Sequence, residues 1–283
     1  MRAGFLGPEG TFTHEALLAF PAADGFEPIP LPTVHDAVRA VAEGKVDRAL
    51  VPIENAIEGA VGATLDALAA QEVAIVGEVV SSVTHCLIAH PLDTLEGTER
   101  VVSHPQAIAQ CARFLRERLP LAEVLPAAST AEAVRMAAIT PGTAAIGTHA
   151  AAELYGCTIL REAIEDEPGN ATRFVWLARL PVTGPVEGPA KTSLVWWGTG
   201  DEAPGWLVRC LSEFAARDVN LTRIESRPRK LGLGHYLFFA DVDGHLAEER
   251  VAAAVEGLRA HAEVVRPLGS YPRARTDPAA PDL

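Results

Sequence analysis

Short apolar segments alternate with segments of helical spacing through the first 180 residues, and this alternation is what most constrains the fold. Residues 3–6 have the pattern of a buried strand, and they are followed by a glycine-rich turn and the apolar-periodic stretch THEALLAF. The same order returns when the strand-like segment 48–53 precedes the helical segment 61–70. Such alternation is typical of an α/β sheet domain. We therefore predict an α/β domain over residues 1–180.

A different pattern follows residues 181–191, a segment rich in proline and glycine that we interpret as an interdomain linker. Residues 192–271 contain strand and helix patterns in the order βαββαβ, which indicates a ferredoxin-like α+β sandwich. The tail, residues 272–283, is polar and proline-rich, so we expect it to be disordered.

Composition argues against several classes of protein. A formal net charge of -13 with no compensating basic patch argues against nucleic-acid binding. The chain has no apolar run long enough for a membrane span or a signal peptide, so we expect a cytoplasmic location and no membrane contact. The four cysteines lie far apart, and no nucleotide-binding or metal-binding motif is present. We therefore expect no cofactor and no metal.

Three polar motifs in the first domain follow predicted strands. GPEGTFT (7–13) contains Thr11 at the start of a predicted helix, VPIENAIEG (51–59) contains Asn55, and Ser103 and Gln106 flank a third helix start. Ligands of open α/β sheets collect at the carboxyl ends of strands, and helix N-termini favour anions. The motifs therefore indicate a site for a polar anion, although each of them also fits an ordinary helix cap or strand-end turn.

A fourth motif, DEPGNATRF (166–174), is a turn-prone acidic loop that leads into a strand. Thr172 offers a hydroxyl donor, Arg173 a guanidinium able to pair with a carboxylate, and Phe174 a ring that can pack on a flat substrate. The residues alone leave open that this is a solvated strand end.

The second domain carries a fifth motif, NLTRIESRP (220–228), after a helix that opens near Gly205. A zwitterionic amino acid needs anion donors and a cation acceptor close together. Helix N–H groups near Gly205 and the carboxyl group of Glu225 offer both, although an ordinary edge strand with surface charges is the alternative.

In order and spacing, these motifs closely resemble the prephenate dehydratase family over roughly residues 1–271. The matching segments are GPEGTFTHEA (7–16), VPIENAIEG (51–59), His85-Cys86-Leu87, SHPQAIAQC (103–111), NATRF (170–174), the helix opening at 205–208 and ESRP (225–228). The resemblance implies a two-lobed catalytic domain similar to type II periplasmic binding proteins, with lobes at about 1–78 plus 167–180 and at 79–166. It also implies a C-terminal ACT domain, a module that binds amino acids.

The resemblance further implies a hydro-lyase that converts prephenate to phenylpyruvate without a cofactor and is inhibited by phenylalanine. Thr172 would lie at the leaving hydroxyl, Arg173 at a substrate carboxylate and Phe174 at the ring. Further substrate contacts are expected from Thr11, Asn55, Ser103 and Gln106. The residues expected to bind the amino-acid effector are Gly205, Leu207, Asn220, Leu221, Glu225, Ser226, Arg227 and Pro228. The expected partners are prephenate, L-phenylalanine and further copies of the chain in a homodimer or homotetramer.

Two departures from the family pattern stand out, Ala56 where serine is usual and Trp206 beside the expected effector pocket. Because the dehydratase motif comes first, a monofunctional enzyme is expected. Two alternatives stay open. An arogenate dehydratase would act on a substrate that carries an amino group in place of the side-chain ketone. A non-catalytic amino-acid sensor would bind a ligand without producing phenylpyruvate.

Overall fold

The computed structural model describes residues 1–20, 25–181, 188–198 and 203–274. Most of the predicted linker and residues 275–283 of the predicted disordered tail lie outside the described residues. None of the helices in the described ranges has the length and apolar content needed to cross a bilayer.

The first part of the chain alternates strands and helices. Its elements are β1 (Arg2–Leu6), α1 (Phe12–Leu18), β2 (Glu27–Leu31), α2 (Val34–Ala42), β3 (Arg48–Asn55), β4 (Gly59–Ala60), α3 (Gly62–Ala70) and β5 (Val73–Ser82). A second group follows: β6 (Cys86–Ala89), β7 (Arg100–Ser103), α4 (Pro105–Gln110), α5 (Ala112–Arg118), β8 (Glu123–Pro126), α6 (Thr130–Ala137), β9 (Thr143–Gly147), α7 (His149–Leu154) and β10 (Thr158–Arg161).

The chain then returns to the first group with β11 (Ala171–Arg179) and enters the C-terminal domain. That domain contains β12 (Ala190–Trp197), α8 (Trp206–Ala215), β13 (Leu221–Pro228), β14 (Tyr236–Asp243), α9 (Glu249–Arg259) and β15 (Val264–Pro272). The predicted order βαββαβ is confirmed.

Three sheets result, and they define two lobes and a separate domain. The first has the strand order β2-β1-β3-β11-β5, with β4 attached to β3, and the second has the order β10-β6-β9-β7-β8. The third has the order β13-β14-β12-β15, in which all neighbours are antiparallel, as in a ferredoxin-like sandwich. In the first lobe, β11 runs antiparallel to both β3 and β5 and so closes the lobe after the chain has built the second one.

The C-terminal sheet packs against other elements on both of its faces, although the residues of its edge strand β13 are half-buried or exposed. One face packs on α8 and α9 around Trp196 and Phe214. The other face contributes Val195, Phe239 and Tyr271 to a core that also contains residues of α2, α3 and β11. Because this core belongs to the first lobe and to the C-terminal domain together, burial of apolar surface holds the two in contact.

The sequence patterns missed several short or edge elements. β2 carries Pro28 and Pro30, which disfavour a strand, but β2 lies at the edge of its sheet, where missing N–H donors are tolerated. β8 and β10 are likewise edge strands of only four residues each. The single helix predicted over 105–118 is divided at Cys111, whose backbone leaves the helical region.

Gly269 of β15 lies directly against the backbone of Ile75 in β5, at the contact between the C-terminal domain and the first lobe. Its φ of 145° is one that side chains rarely adopt, and a Cβ there would meet the carbonyl oxygen of Ile75. Gly232 also has a positive φ, 124°, but a Cβ there would meet no atom within 4 Å.

We predict that Gly269→Ala lowers the free energy of unfolding by about 1–3 kcal/mol more than Gly232→Ala does, because only the first adds a clash to the backbone strain. Urea unfolding of both variants and the wild type measures the difference. Equal losses of stability in the two variants would show that the close approach of β15 and β5 is not required.

Candidate active site

A cavity of about 430 Å³ lies between the first and second lobes. The first lobe supplies residues that follow β1 and β2 and residues on β3 and β11, and the second lobe supplies residues of α4 and of the N-terminal end of α6. The polar residues that line it are Thr11, Thr13, Asn55, His85, His104, Gln106, Gln110, Ser129, Thr130, Asn170 and Thr172. The cavity therefore brings together segments that are widely separated in sequence.

Thr172 lines the cavity near the start of β11, opposite Asn55 of β3. The side-chain amide of Asn55 donates to the Thr172 hydroxyl at 2.9 Å and to the side-chain oxygen of Asn170 at 2.9 Å. The Asn55 oxygen in turn accepts the backbone N–H groups of Ile57 and Glu58, both at 3.0 Å. Because the Thr172 oxygen accepts from Asn55, its own hydrogen is left to donate to a ligand.

The network continues from Asn170 into the second lobe. The Asn170 amide donates to the side-chain oxygen of Gln110 at 3.2 Å, and that oxygen lies 2.9 Å from Nε2 of His85. The Gln110 amide nitrogen points instead toward a carboxylate oxygen of Glu58, at 3.4 Å. Since a carboxylate only accepts, Gln110 presents its oxygen to His85, and Nε2 of His85 carries the proton.

The burial of His85 favours its neutral form. Burial lowers its pKa, against the opposing effects of the Gln110 bond and the Glu165 charge. Nδ1 is buried and forms no hydrogen bond with the described residues. The ring also meets Phe12 edge-on, at 5.3 Å between centroids, which fixes its orientation across the gap between the lobes.

The residues predicted from sequence take different positions. Asn55, Gln106, Thr172 and Phe174 line the cavity, as does Thr11. The hydroxyl group of Thr11 is already engaged, because it donates to the Leu6 carbonyl and accepts from the N–H of His14 as the cap of α1. The polar groups of Asn55 are engaged too, because its amide bonds to Asn170 and Thr172 and its oxygen accepts from the backbone.

Two expectations need correction. Ser103 is fully buried and donates to the carbonyl of Ile146 at 2.7 Å, so it does not line the cavity. Arg173 does not line it either, because neighbouring residues of a strand point to opposite faces. With Thr172 and Phe174 facing the cavity, the Arg173 guanidinium lies on the far side of the sheet. There it bonds to Glu78, Asp241 and Tyr271 at 2.6–3.0 Å.

The described residues that line the cavity include no aspartate, glutamate, lysine or arginine. Its polar groups are hydroxyls, amides and imidazoles, and the rest of the lining is apolar, including Phe12, Val83 and Phe174. Within the described part of the chain, no group of three or more side chains is arranged to hold a metal ion. This arrangement can donate hydrogen bonds to an anion without forming an ion pair with it.

Comparison with known proteins identifies the family. The family model described as prephenate dehydratase matches residues 3–181. The chain belongs to the prephenate dehydratase family.

Several relatives resemble the chain over nearly its full length. It is 41% identical to the prephenate dehydratase of Mycolicibacterium smegmatis, covering 96% of this chain and 90% of that protein. It is 39% identical to a bifunctional chorismate mutase/prephenate dehydratase of Aquifex aeolicus, covering 97% of this chain and 74% of that protein.

Solved structures share the fold. A prephenate dehydratase from Arthrobacter aurescens in complex with L-Phe superposes with a TM-score of 0.88 at 40% identity, covering 96% of this chain and 90% of that one. A structure described as GqqA, a novel type of quorum quenching acylase, gives a TM-score of 0.86 at 32% identity, covering 96% and 98%. The fold is thus the two-lobed catalytic domain of the family with a C-terminal ACT-like domain.

Sequence reasoning overlooked His85, Gln110, Asn170 and Ser129 as cavity residues. Gln110 had a usable signal, because it lies four residues after Gln106 and so on the same side of a helix. Asn170 lies two residues before Thr172 in the same motif. Ser129 had one as well, because it caps the helix predicted from residue 129 and its partner Glu132 lies three residues later. His85 had no such signal, since its partner Gln110 is 25 residues away.

The residues expected to bind an effector do not form one cluster within the chain. Gly205 precedes α8, at the end of the ACT sheet where Trp196 aligns with Phe238 and Ser226. Asn220 precedes β13 at the opposite end, where Leu221 aligns with Val242.

Arg227, a member of the expected effector set, and Trp206, which is adjacent to it at Gly205, make contacts away from an effector site. Arg227 pairs with Asp66 of α3 in the catalytic domain at 3.2 Å. Trp206, expected beside the effector pocket, is instead buried in the ACT core, and its indole N–H donates to the His261 carbonyl at 2.7 Å.

We predict that His85→Gln flattens the pH dependence of stability. Since the folded-state pKa of His85 lies below its ordinary value of 6.5, the unfolded chain binds the proton more readily. Its contribution to stability is therefore complete above about pH 6.5 and is lost as pH falls. His14, whose pKa burial also lowers, adds a slope of the same sign that the variant keeps.

Urea unfolding at pH 7, 6 and 5 measures this effect. His35→Gln removes an exposed imidazole and serves as the matched control. An unchanged slope in His85→Gln would show that the ring is not held neutral.

Proposed function

We propose that the chain converts prephenate to phenylpyruvate, with loss of carbon dioxide and of the ring hydroxyl as water. The observation that carries the proposal is the hydroxyl of Thr172, which lines the cavity and is oriented by Asn55 so that its hydrogen is free. Prephenate has a hydroxyl that must leave, and a fixed donor at that oxygen addresses the main chemical barrier.

The bonds change in a balanced way. The bond between the ring and its carboxylate breaks, its electron pair enters the ring, and the bond from the ring to the hydroxyl oxygen breaks. Carbon dioxide leaves, and the departing hydroxide, which accepts a hydrogen bond from Thr172, takes up a proton from solvent and becomes water. Aromatisation drives the reaction, so no electron sink is required, and a positioned donor typically contributes about 10²–10⁴-fold in rate.

The neutral lining supports a decarboxylation. A cation paired with the ring carboxylate would stabilise the substrate more than the transition state, in which that charge disappears, and would slow the reaction. Hydrogen-bond donors such as Gln106 and Ser129 line the cavity and can orient an anion without this penalty. The withdrawal of Arg173 from the cavity fits the same requirement.

The same lining favours prephenate over arogenate. Arogenate carries an ammonium group where prephenate has a ketone, and the described lining residues offer no carboxylate to pair with it. Comparing kcat/KM for the two substrates tests this preference.

An acylase activity, suggested by the structural relative of that description, has less support. A nucleophile, a histidine and a carboxylate do lie together, with Cys86 3.5 Å from Nδ1 of His149 and Glu162 3.2 Å from its Nε2. However, the Cys86 thiol is fully buried, and burial together with nearby carboxylates raises its pKa to about 12. A thiol that stays protonated is a poor nucleophile.

We predict that Thr172→Ala lowers kcat by about 10²-fold or more while KM changes by less than about threefold, because the lost hydrogen bond forms to the leaving group. Thr172→Ser should retain most of the activity. The measurement is the absorbance of phenylpyruvate formed from prephenate.

Ser103→Ala is the matched control, since its hydroxyl lies outside the cavity, and it should keep kcat near the wild-type value. Normal turnover by Thr172→Ala would contradict the assignment. A chain that binds prephenate and forms no phenylpyruvate would instead be the non-catalytic sensor.

We further propose that L-phenylalanine inhibits the enzyme by binding between ACT domains of two copies of the chain, in a cytoplasmic homo-oligomer. The solved relative from Arthrobacter aurescens was bound to L-Phe. Gly205 and Asn220 lie at opposite ends of one ACT sheet, so a site that uses both draws them from two copies. The Glu225 carboxylate forms no hydrogen bond with the described residues and is free to receive an ammonium group.

We predict that Glu225→Ala raises the L-phenylalanine concentration for half-inhibition by about 10-fold or more, while activity without L-phenylalanine is unchanged. Dose–response curves on prephenate measure this shift. Glu256→Ala, which removes an exposed glutamate of α9, is the control. Inhibition of Glu225→Ala at wild-type concentrations would exclude Glu225 from the effector site.

A further inference from the structure

Charged side chains are buried together where the catalytic domain meets the ACT domain. We call this group the interdomain ion cluster, and its members are Glu54, Glu78, Arg173, Lys191, Arg223 and Asp241. Nζ of Lys191 lies 2.9 Å from Glu78. The Tyr271 hydroxyl accepts from Arg173 and donates to Ser193, whose own hydroxyl donates to Asp241. Five of these side chains are at most 10% exposed and Glu54 is 38% exposed, so three positive and three negative groups are paired at a largely buried contact.

Two arginines share the same two carboxylates in this cluster. Nη1 of Arg173 lies 2.6 Å from Asp241 and 3.2 Å from Glu54. Arg223 lies 3.8 Å from the same oxygen of Asp241 and 3.7 Å from the same oxygen of Glu54. Nη2 of Arg223 has no hydrogen-bond partner among the described residues, so Arg223 has a donor to spare.

The two arginines lie in different domains, Arg173 on β11 of the catalytic domain and Arg223 on β13 of the ACT domain. Arg173 follows Thr172 directly on β11, and Glu54 precedes Asn55 on β3. Thr172, which carries the cavity hydroxyl, and Asn55, which bonds to it, are therefore each adjacent in sequence to a member of the cluster. Arg223 lies on β13, the strand that also carries Glu225. A change at β13 therefore reaches Thr172 through one pair of carboxylates.

We propose that Arg173 is a positioning residue for Thr172, and that Arg223 competes with it for Asp241 and Glu54 when an effector shifts β13. This inference rests on the proposed function and adds the residues through which inhibition acts. In the structure described here, Arg173 holds both carboxylates and Asn55 is bonded to Thr172, which is the arrangement expected of the active state. If Arg223 takes over the carboxylates, Arg173 and Glu54 must move, and they carry Thr172 and Asn55 with them.

Exchange of partners is favoured because Asp241 keeps a cationic partner in either arrangement. Burial alone would raise the pKa of Asp241, but the charges of Arg173 and Arg223 and the bond from Ser193 hold it below its ordinary value. A buried carboxylate of this kind needs a cation at all times. Either Arg173 or Arg223 can be that cation. The ACT domain can therefore shift between two arrangements without leaving the Asp241 carboxylate unpaired.

The test is Arg223→Met, which keeps the length of the side chain and leaves Arg173 as the partner of both carboxylates. We expect kcat on prephenate to stay within about threefold of wild type, and L-phenylalanine to bind still in equilibrium dialysis. The concentration for half-inhibition should rise by about 10-fold or more. Arg259→Met, on the exposed face of α9, is the matched control and should be inhibited like wild type.

Arg173→Lys tests the positioning role and keeps the positive charge. We expect kcat to fall by about 10-fold with KM within about twofold of wild type, measured well below the unfolding temperature. A residue with only a structural role would lower the unfolding temperature and leave kcat intact, and that result would overturn this role.

The outcomes separate the inference from the function on which it rests. If the wild type makes phenylpyruvate and is inhibited by L-phenylalanine, but Arg223→Met is inhibited equally, the competition between the arginines is wrong and the function stands. If the wild type is not inhibited, the effector assignment and the competition both fail.

Discussion

The alternation of side chains along β11 is the constraint on which the other features depend. The strand is paired on both sides, with β3 and with β5, so it cannot rotate about its axis. Thr172 and Phe174 therefore face the cavity, while Arg173 and Val175 face the ACT side. A slip of one residue would exchange the two sets and place a guanidinium in the cavity and a hydroxyl in the interdomain ion cluster.

Different interactions hold the ACT domain against the first lobe and fix its orientation there. The shared apolar core around Val195, Phe239 and Tyr271 supplies attraction, but apolar contacts are non-directional. The interdomain ion cluster contributes direction, because Arg173 and Lys191 bond to Glu78 and Asp241 at hydrogen-bond distance. Loss of one partner from such a pair typically costs about 3–5 kcal/mol, so wrong orientations of the ACT domain are strongly disfavoured.

The sequence predicted the elements with strong periodicity and the residue types of the site, but not the contacts between distant segments. β11 was predicted at its observed bounds, 171–179, and Thr172 was placed correctly in the cavity. The period-two alternation of a strand predicts that Arg173 and Thr172 face opposite sides of the sheet. The ability of a guanidinium to pair with a carboxylate nevertheless favoured the prediction that both contact the substrate. The positions of the Ser103 and His85 side chains could not be predicted from the sequence. Their hydrogen-bond partners, Ile146 and Gln110, are 43 and 25 residues away.

The position of Arg173 reconciles two demands that conflict in this chemistry. A strong cation next to Thr172 would fix the strand but would also hold the substrate carboxylate that has to leave as carbon dioxide. Turning the guanidinium to the other face keeps the first effect and removes the second, since the strand is tethered to Glu78 and Asp241 while the cavity lining stays neutral. The same turn ties the catalytic strand to the ACT domain. The absence of a cation from the cavity lining and the link between β11 and the ACT domain thus both follow from the face of the strand on which Arg173 lies.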